Sequence, residues 1–256
     1  MSEKYTLKIF RGSPGKQYWE SFDLLRKPFA NVISSLMEIQ QNPVNNKGEK
    51  TTPVVWEQGC LEEVCGSCSM LVNGKPRQAC TAIIEPIIQQ TGSATITLAP
   101  FTKFPLVRDL IVDRSIMFDN LKKIHGWIEA DSTYDRGPGP KISQKKQEVM
   151  YTLSTCMTCG CCSESCPQIN QNSKFIGPAA ISQVRLFNDH PTGAMHRTPR
   201  LHALMGEGGV SECGSAQNCA KVCPKHIPLT DSISAMSRDV AGQSLSDLFG
   251  LPDREE

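Results

Sequence analysis

The chain has 256 residues, a formal charge of +1 and 39% hydrophobic residues. This length suits one large or two ordinary domains, and the balanced charge excludes the basic surface expected of a nucleic-acid-binding protein. No apolar run approaches the about 18 residues that span a bilayer, and the first residues lack the layout of a secretory signal. We therefore expect two domains in a reducing compartment, where 12 cysteines indicate metal or redox chemistry rather than a secreted disulfide scaffold.

The first hundred residues predict a small α+β domain. Alternating hydrophobic residues on both sides of a turn at 12–15 predict a hairpin over 4–25. A helix with Pro28 in its first turn is expected to follow and to end at Asn42 and Pro43. The Asn73-Gly74 pair predicts a second hairpin, and 95–98 reads as one more strand. This domain is expected to end near residue 105.

Residues 106–256 predict an almost entirely helical domain. Hydrophobic residues between Val107 and Ile128 recur at the spacing of one helix face. Apolar residues three or four apart predict further helices at 146–155, 178–189 and 230–241. Glycine and proline alternate at 137–140, which indicates a connecting loop over 129–145. No strand is predicted beyond residue 145.

The first group of cysteines has the spacing C-x4-C-x2-C-x11-C, formed by Cys60, Cys65, Cys68 and Cys80. The first two intervals are those of plant-type [2Fe–2S] ferredoxins. Gly59 and Gly66 suit a tightly folded loop that turns several N–H groups toward one cluster. Zinc is the alternative, but zinc sites usually consist of two C-x2-C pairs. The spacing therefore predicts a [2Fe–2S] cluster.

Two further cysteine runs share one template and form a degenerate internal repeat. The first, starting at Cys156, reads C-x2-C-x2-C-x3-C-P when Cys161 is left aside, which is the run of bacterial ferredoxins. The second, starting at Cys213, has Ala216 where the second cysteine is expected. A zinc site would not require two cysteine runs with this matching spacing.

In two-cluster ferredoxins, the fourth cysteine of each run binds the cluster held by the other run. This rule predicts one complete [4Fe–4S] set. The other set has three thiolates, which predicts a [3Fe–4S] cluster. Cys161 falls in neither set and is expected to be a small buried residue. The predicted ligands are Cys156, Cys159, Cys162 and Cys223 for [4Fe–4S], and Cys166, Cys213 and Cys219 for [3Fe–4S].

The chain shows no signature of a substrate site of its own. It contains no G-x-G-x-x-G, no P-loop and no G-x-S-x-G turn, and its five histidines are scattered singly. No catalytic residue is therefore predicted. The sequence indicates an electron carrier whose partners supply both ends of the path.

Together these features resemble the iron–sulfur subunit of succinate dehydrogenase and fumarate reductase. The resemblance covers nearly the whole chain, including Val107-Arg108-Asp109-Leu110 and the segment 173–178 after the first run. The segments 42–44 and 61–66 resemble forms from Gram-positive and related bacteria. The fold implied is an N-terminal β-grasp [2Fe–2S] ferredoxin-like domain over 1–105 and a C-terminal all-α ferredoxin-like domain over 106–256 with two further clusters.

The resemblance also implies partners and a reaction. A flavoprotein subunit with covalent FAD would lie on one side and a membrane anchor with haem b on the other. Electrons from succinate would pass FAD, [2Fe–2S], [4Fe–4S] and [3Fe–4S] to quinone, with the chain peripheral at the cytoplasmic face of the inner membrane. Alternatives are a quinol:fumarate reductase running in the opposite direction or another iron–sulfur electron-transfer subunit. A free-standing ferredoxin and a structural zinc protein are the remaining rivals.

One feature departs from the ubiquinone-type members of this family. Those members carry a tryptophan shortly after the first Cys-Pro and a histidine after the first cysteine of the second run. This chain has residues 168–171, without tryptophan, and Gly214 at those places. The departure implies a menaquinone enzyme whose quinone site lies in the anchor.

Overall fold

The computed structural model describes residues 3–129 and 141–251. The described residues form two compact units. The first runs to Arg114 and also contains Cys159–Glu164, whereas the second contains Ser115–Thr158 and the residues from Ser165 onward. This division falls after Arg114, and the boundary of independently folding domains at residue 105 stays a prediction.

A five-stranded mixed sheet is the framework of the first unit. Its strands are β1 (Lys4–Ser13), β2 (Lys16–Leu25), β3 (Ser69–Val72), β4 (Lys75–Gln78) and β5 (Thr95–Ala99). Their order is β2-β1-β5-β3-β4; β1 and β5 run parallel, and the other neighbours are antiparallel. Both predicted hairpins and the predicted strand at 95–98 are confirmed.

Helix α1 (Val32–Gln41) buries one face in the same hydrophobic core as β1 and β5. It begins at Val32 because the side chain of Asn31 accepts a hydrogen bond from the N–H of Ser34 at 2.8 Å. The prediction that Pro28 lies in the first turn is wrong, since the capping asparagine follows it. The predicted end of the helix before Asn42 is confirmed.

A second helix, α2 (Ile84–Thr91), was not predicted. It buries Ile84, Ile87 and Ile88, which have helical spacing, and it ends at Gly92 in the left-handed region. Pro86 is compatible with this helix because the first turn needs no N–H donor. The signal was present in the sequence but is short and interrupted by the proline.

The single helix predicted between Val107 and Ile128 is wrong. This stretch contains two short strands, β6 (Leu106–Arg108) and β7 (Ile111–Val112), followed by α3 (Ser115–Lys123). Asp109, with φ of +48°, turns the chain between the two strands. The prediction failed because the hydrophobic residues of the two strands and of the short helix fall, in sequence, at the spacing of one continuous helix face.

The second unit is built from helices. Helices α6 (Pro178–Asp189) and α10 (Leu229–Phe249) pack against each other, and α8 (Arg197–Met205) packs against both. The predicted helices at 146–155, 178–189 and 230–241 are confirmed, and the last extends to Phe249. The predicted loop at 129–145 lies largely outside the described residues. The helices that follow α3 are α4 (Gln144–Ser154), α5 (Cys161–Ser165), α6 (Pro178–Asp189), α7 (Pro191–Ala194), α8 (Arg197–Met205), α9 (Asn218–Lys221) and α10 (Leu229–Phe249).

None of the helices described is both long enough and apolar enough to cross a membrane.

A buried ion pair holds the end of β1 to the turn between β6 and β7. Arg11 and Asp109 are 1% and 2% exposed, and Arg11 Nη2 lies 3.3 Å from Asp109 Oδ2. The Asp109 carboxylate also accepts the N–H groups of Gly12 at 2.7 Å and Val55 at 2.9 Å. Arg11 Nη1 donates to Glu20 at 2.6 Å. Asp109 thereby fixes the backbone that leads into the first cysteine loop.

Replacing Asp109 with alanine should lower stability strongly, because it leaves a buried guanidinium and two backbone N–H groups without this acceptor. Loss of one partner of a buried pair costs roughly 3–5 kcal/mol, which corresponds to a shift in unfolding midpoint on the order of 10 °C. The measurement is thermal unfolding of the full chain at a fixed scan rate. Asp23→Ala is the control, because Asp23 accepts an exposed hydrogen bond from Thr6 and is not part of the buried ion pair. Equal shifts for the two variants would contradict the structural role of Asp109.

Candidate metal centres

The first cysteine loop points backbone N–H groups at sulfur. Three N–H groups, those of Glu62, Val64 and Cys65, each lie 3.3 Å from Cys60 Sγ. The N–H of Cys60 lies 3.4 Å from Cys65 Sγ. Donors of this kind stabilise a thiolate, which is the form of cysteine that binds iron.

This loop requires unusual backbone angles. Leu61, Glu63 and Gly66 have φ values of +62°, +56° and +75°. For a non-glycine residue the left-handed region costs about 1–2 kcal/mol. The cost at Leu61 and Glu63 is offset by the N–H groups that the turn directs at Cys60. Of these three turns, the sequence indicated the one at Gly66, whereas the two at non-glycine residues could not be predicted from it.

The four cysteines of the first group fall into two neighbouring pairs. A hydrogen bond from the Ser67 hydroxyl, with help from the Cys60 N–H, lowers the pKa of Cys65 to about 6. Burial and the neighbouring Cys80 raise the pKa of Cys68 to about 12. In the first pair, Cys60 is half-buried and Cys65 exposed, with N–H donors around them; Cys68 and Cys80 are both buried. The donor set fits a cluster bound by four thiolates.

All twelve cysteines lie in the described ranges, and none forms a disulfide. Among the residues that the structure describes, no group of three or more His, Cys, Asp or Glu side chains is arranged to hold a single metal ion. Cluster ligands surround several iron and sulfide atoms rather than one ion, so their thiols need not converge on a point.

Part of the run that starts at Cys156 belongs to the first unit. Cys161 is fully buried, as predicted, and lies beside Cys159 and Cys162. A hydrogen bond from the Cys161 thiol lowers the pKa of Cys159 to about 7, although burial alone would raise it. The positive charge of Arg114 also lowers this pKa. The hydrogen bond with Cys159, together with burial, raises the pKa of Cys161 itself.

Glu164 anchors this part of the run to the loop after β5. Its buried carboxylate accepts the N–H of Thr102 at 2.9 Å, the hydroxyl of Thr102 at 2.7 Å and the N–H of Lys103 at 3.1 Å. Gly160, at φ of +87°, approaches the ring of Phe104 so closely that a Cβ atom there would lie 3.2 Å from it. Local sequence patterns do not reveal this acidic anchor, because its partners lie about sixty residues away.

The two later cysteine runs share their backbone conformation as well as their spacing. Thr158 and Gly160 flank Cys159 with φ values of +50° and +87°, and Ser215 and Gln217 flank Ala216 with +53° and +59°. Helices α5 and α9 begin at corresponding positions of the template, two residues after Cys159 and Ala216. The second run therefore keeps the turn of a ligand position although its side chain is a methyl group.

Three cysteines are neighbours within the second unit. Burial raises the pKa of Cys219, and the nearby thiols of Cys166 and Cys213 raise it further. The side chain of Asn218 donates to the carbonyl of Ser165 at 3.3 Å, which ties the second run to the end of the first. Cys156 and Cys223 also belong to this unit, and both are half-buried.

The two positions that depart from the ubiquinone-type pattern face each other. A Cβ atom on Gly214 would lie 2.2 Å from Nε2 of Gln168. A histidine at position 214 would therefore require the Gln168 side chain to move. The sequence alone could not show that these departures are adjacent.

Comparisons with known proteins agree with this geometry. Residues 6–119 match the model of a 2Fe-2S iron–sulfur cluster binding domain, and residues 152–227 match a 4Fe-4S dicluster domain. The succinate dehydrogenase iron–sulfur subunit of Bacillus subtilis (strain 168) is 55% identical over 98% of both chains. The chain belongs to the iron–sulfur subunits of succinate dehydrogenase and fumarate reductase. The fumarate reductase iron–sulfur subunit of Haemophilus influenzae is 32% identical, over 89% of this chain and 90% of that one.

A solved structure supports the fold. A chain of the Mycobacterium smegmatis Sdh1 complex in the apo form matches with a TM-score of 0.80, over 95% of this chain and 98% of that one. The sequences are 22% identical, so this likeness concerns the fold alone. The predicted family, the α+β fold class and the role as an iron–sulfur electron-transfer subunit are confirmed.

Replacing Glu164 with alanine should destabilise the segment that carries Cys159 and Cys162. Each hydrogen bond to a charged group is worth about 1.5–3 kcal/mol, so loss of even one should make local opening at least about tenfold more frequent. The measurement is the rate at which cluster absorbance is lost in air-saturated buffer. Glu207→Ala removes an exposed carboxylate and should leave the rate unchanged. Equal rates for the two variants would show that Glu164 does not anchor the run.

Proposed function

We propose that this chain carries electrons between the FAD of a flavoprotein subunit and the quinone and haem of a membrane anchor. It would do so through [2Fe–2S], [4Fe–4S] and [3Fe–4S] clusters and would contribute no substrate-converting residue. The observation that carries the proposal is the pair of related cysteine runs, which share one turn geometry around Cys159 and Ala216.

The [2Fe–2S] cluster is assigned to Cys60, Cys65, Cys68 and Cys80. The assignment is supported by their spacing and by the N–H groups that surround Cys60 Sγ. When bound, the cluster takes up and releases one electron. Backbone donors favour the more negative, reduced state, so this loop raises the cluster potential above that of an unsupported site.

The [4Fe–4S] cluster is assigned to Cys156, Cys159, Cys162 and Cys223. This assignment rests on the rule that the fourth cysteine of one run serves the cluster of the other. The left-handed residues on both sides of Cys159 support a turned ligand loop at this position. Cys161 is left as a buried thiol outside the set.

The [3Fe–4S] cluster is assigned to Cys166, Cys213 and Cys219. The electrostatic influence of Cys166 and Cys213 on Cys219 supports a common site for these three thiols. Ala216 offers only a methyl group at the fourth position. Three thiolates leave one corner of a cubane without a protein ligand, which favours loss of that iron.

The partners are inferred from the relatives. A subunit of succinate dehydrogenase that has clusters but no flavin site needs a flavoprotein and an acceptor at the membrane. We therefore infer a peripheral location on a haem-bearing anchor, at the cytoplasmic face of the inner membrane. The 55% identity to a succinate dehydrogenase subunit favours succinate oxidation, and the more distant fumarate reductase relatives fit the reverse direction.

Menaquinone is the proposed quinone. The two residues that mark ubiquinone-type members are replaced by a glycine and a glutamine-containing segment, and Gly214 and Gln168 are in close approach. Position 214 therefore lacks the histidine that ubiquinone-type members of the family carry there. The quinone site is therefore assigned to the anchor rather than to this chain.

Electron paramagnetic resonance of the purified complex tests the cluster content. We expect a three-iron signal in the oxidised protein, a [2Fe–2S] signal after reduction with dithionite, and about nine iron atoms per chain. A flavoprotein should co-purify from membranes. Zinc without acid-labile sulfide would overturn the proposal, and a soluble monomer without flavin would favour a free-standing ferredoxin.

The Ala216→Cys variant tests the register of the second run. A fourth thiol at this position should convert the three-iron cluster to [4Fe–4S], abolish the three-iron signal and slow quinone reduction. Ser215→Cys is the matched control, because it places a thiol one residue away from the ligand position. A three-iron signal that persists unchanged in Ala216→Cys would show that the assigned register is wrong.

The quinone assignment is tested by steady-state reduction assays on the purified complex. We expect faster turnover with menaquinone analogues than with ubiquinone analogues, because the chain lacks the ubiquinone-type residues beside Pro167. A strong preference for ubiquinone would contradict the assignment.

A further inference from the structure

Gln78 is a fully buried amide that contacts residues of two cysteine groups. Its Nε2 donates to Ser69 Oγ at 2.8 Å and approaches Cys161 Sγ at 3.6 Å. Its Oε1 accepts from Cys68 Sγ at 3.5 Å. All four residues belong to the first unit. A buried amide is tolerated only when its polar atoms are paired, so these contacts determine its orientation.

Cluster binding changes the hydrogen-bond chemistry at Cys68. Iron binds the thiolate, so Cys68 would no longer donate and Oε1 would face an anionic sulfur. Exchange of the amide oxygen and nitrogen by rotation of the terminal group removes this repulsion, because the two atoms are nearly the same size. Nε2 then donates to Cys68, and the resulting charge-assisted bond is roughly twice as strong as a neutral one.

The surrounding groups can accept this exchange. Cys161 is a buried thiol outside the ligand sets, and its single S–H can turn from Cys159 to Oε1 once iron binds the Cys159 thiolate. Ser69 can also donate to Oε1 if its hydroxyl leaves the carbonyl of Gly66, to which it now donates at 2.6 Å. That carbonyl keeps a donor, because Arg114 Nη1 lies 2.8 Å from it. Both Oε1 and the Gly66 carbonyl therefore keep a donor after the exchange.

We propose that Gln78 is a positioning residue that donates to the Cys68 ligand and raises the potential of the [2Fe–2S] cluster, and that Cys161 holds the amide in this orientation. The proposal rests on the assignment of Cys68 as a ligand under the proposed function. Reduction adds negative charge to the cluster, and an N–H donor at sulfur stabilises the more negative state. Cys161, which binds no iron, thereby acquires a role.

The test is a redox titration of the [2Fe–2S] signal in the purified complex. Gln78→Met keeps the side-chain length and removes both amide atoms, so its midpoint should fall and the ratio of reduced to oxidised cluster at a fixed potential should drop at least about threefold. Cys161→Ala should give a smaller fall. The double variant should match Gln78→Met alone, because Cys161 acts through the amide.

Gln89→Leu is the control, since it removes an exposed amide of the same unit and should leave the midpoint unchanged. An unchanged or raised midpoint in Gln78→Met, with intact iron content and signal, would overturn this inference but not the proposed function. Additive effects in the double variant would do the same. If Gln78→Met loses its cluster, the midpoint of Cys161→Ala is used instead, and an unchanged or raised value would overturn the inference. Absence of a [2Fe–2S] signal from the wild-type complex would instead overturn the proposed function.

Discussion

The structure depends on the direction of a small number of backbone N–H groups. Sulfur ligands carry negative charge, and a protein can stabilise that charge without adding cations by turning peptide N–H groups toward it. In the first cysteine loop this requires Leu61 and Glu63 in a conformation that side chains disfavour. The fold must therefore supply enough stability elsewhere to maintain an unfavourable loop.

The supporting framework is polar and buried as well as hydrophobic. Arg11 and Asp109 join β1, the β6–β7 turn and the segment at Val55, and that segment leads directly to Cys60. A hydrophobic core alone would hold the sheet but would not fix the entry of this loop to within a hydrogen-bond length. The buried ion pair supplies that precision, at the cost of removing two charges from water.

Much of the fold and most of the candidate ligands follow from local sequence signals. Alternating residues and Asn73-Gly74 predict the hairpins, and cysteine intervals predict the ligand groups, because these features depend on neighbours in the chain. The stretch from Val107 was misassigned, since a turn at Asp109 has no strong local signature. Contacts such as Gln78 with Cys161 join residues 83 positions apart. Such contacts form only when distant segments pack together, and the spacing of hydrophobic residues along the chain does not predict them.

The degenerate repeat shows how a ligand can disappear while its site persists. Ser215 and Gln217 keep left-handed angles around Ala216 just as Thr158 and Gly160 do around Cys159. The turn is therefore not maintained by the cysteine alone. At this position the two runs therefore differ by one side chain rather than by their backbone conformation.

The placement of Cys159–Glu164 within the first unit has a consequence for biosynthesis. A nascent chain that has emerged only as far as Arg114 lacks the carboxylate that pairs with Thr102 and Lys103 and the glycine that packs beside Phe104. The first unit becomes complete only after the ribosome has added about fifty more residues. The first cysteine loop therefore leaves the ribosome before its surroundings are finished.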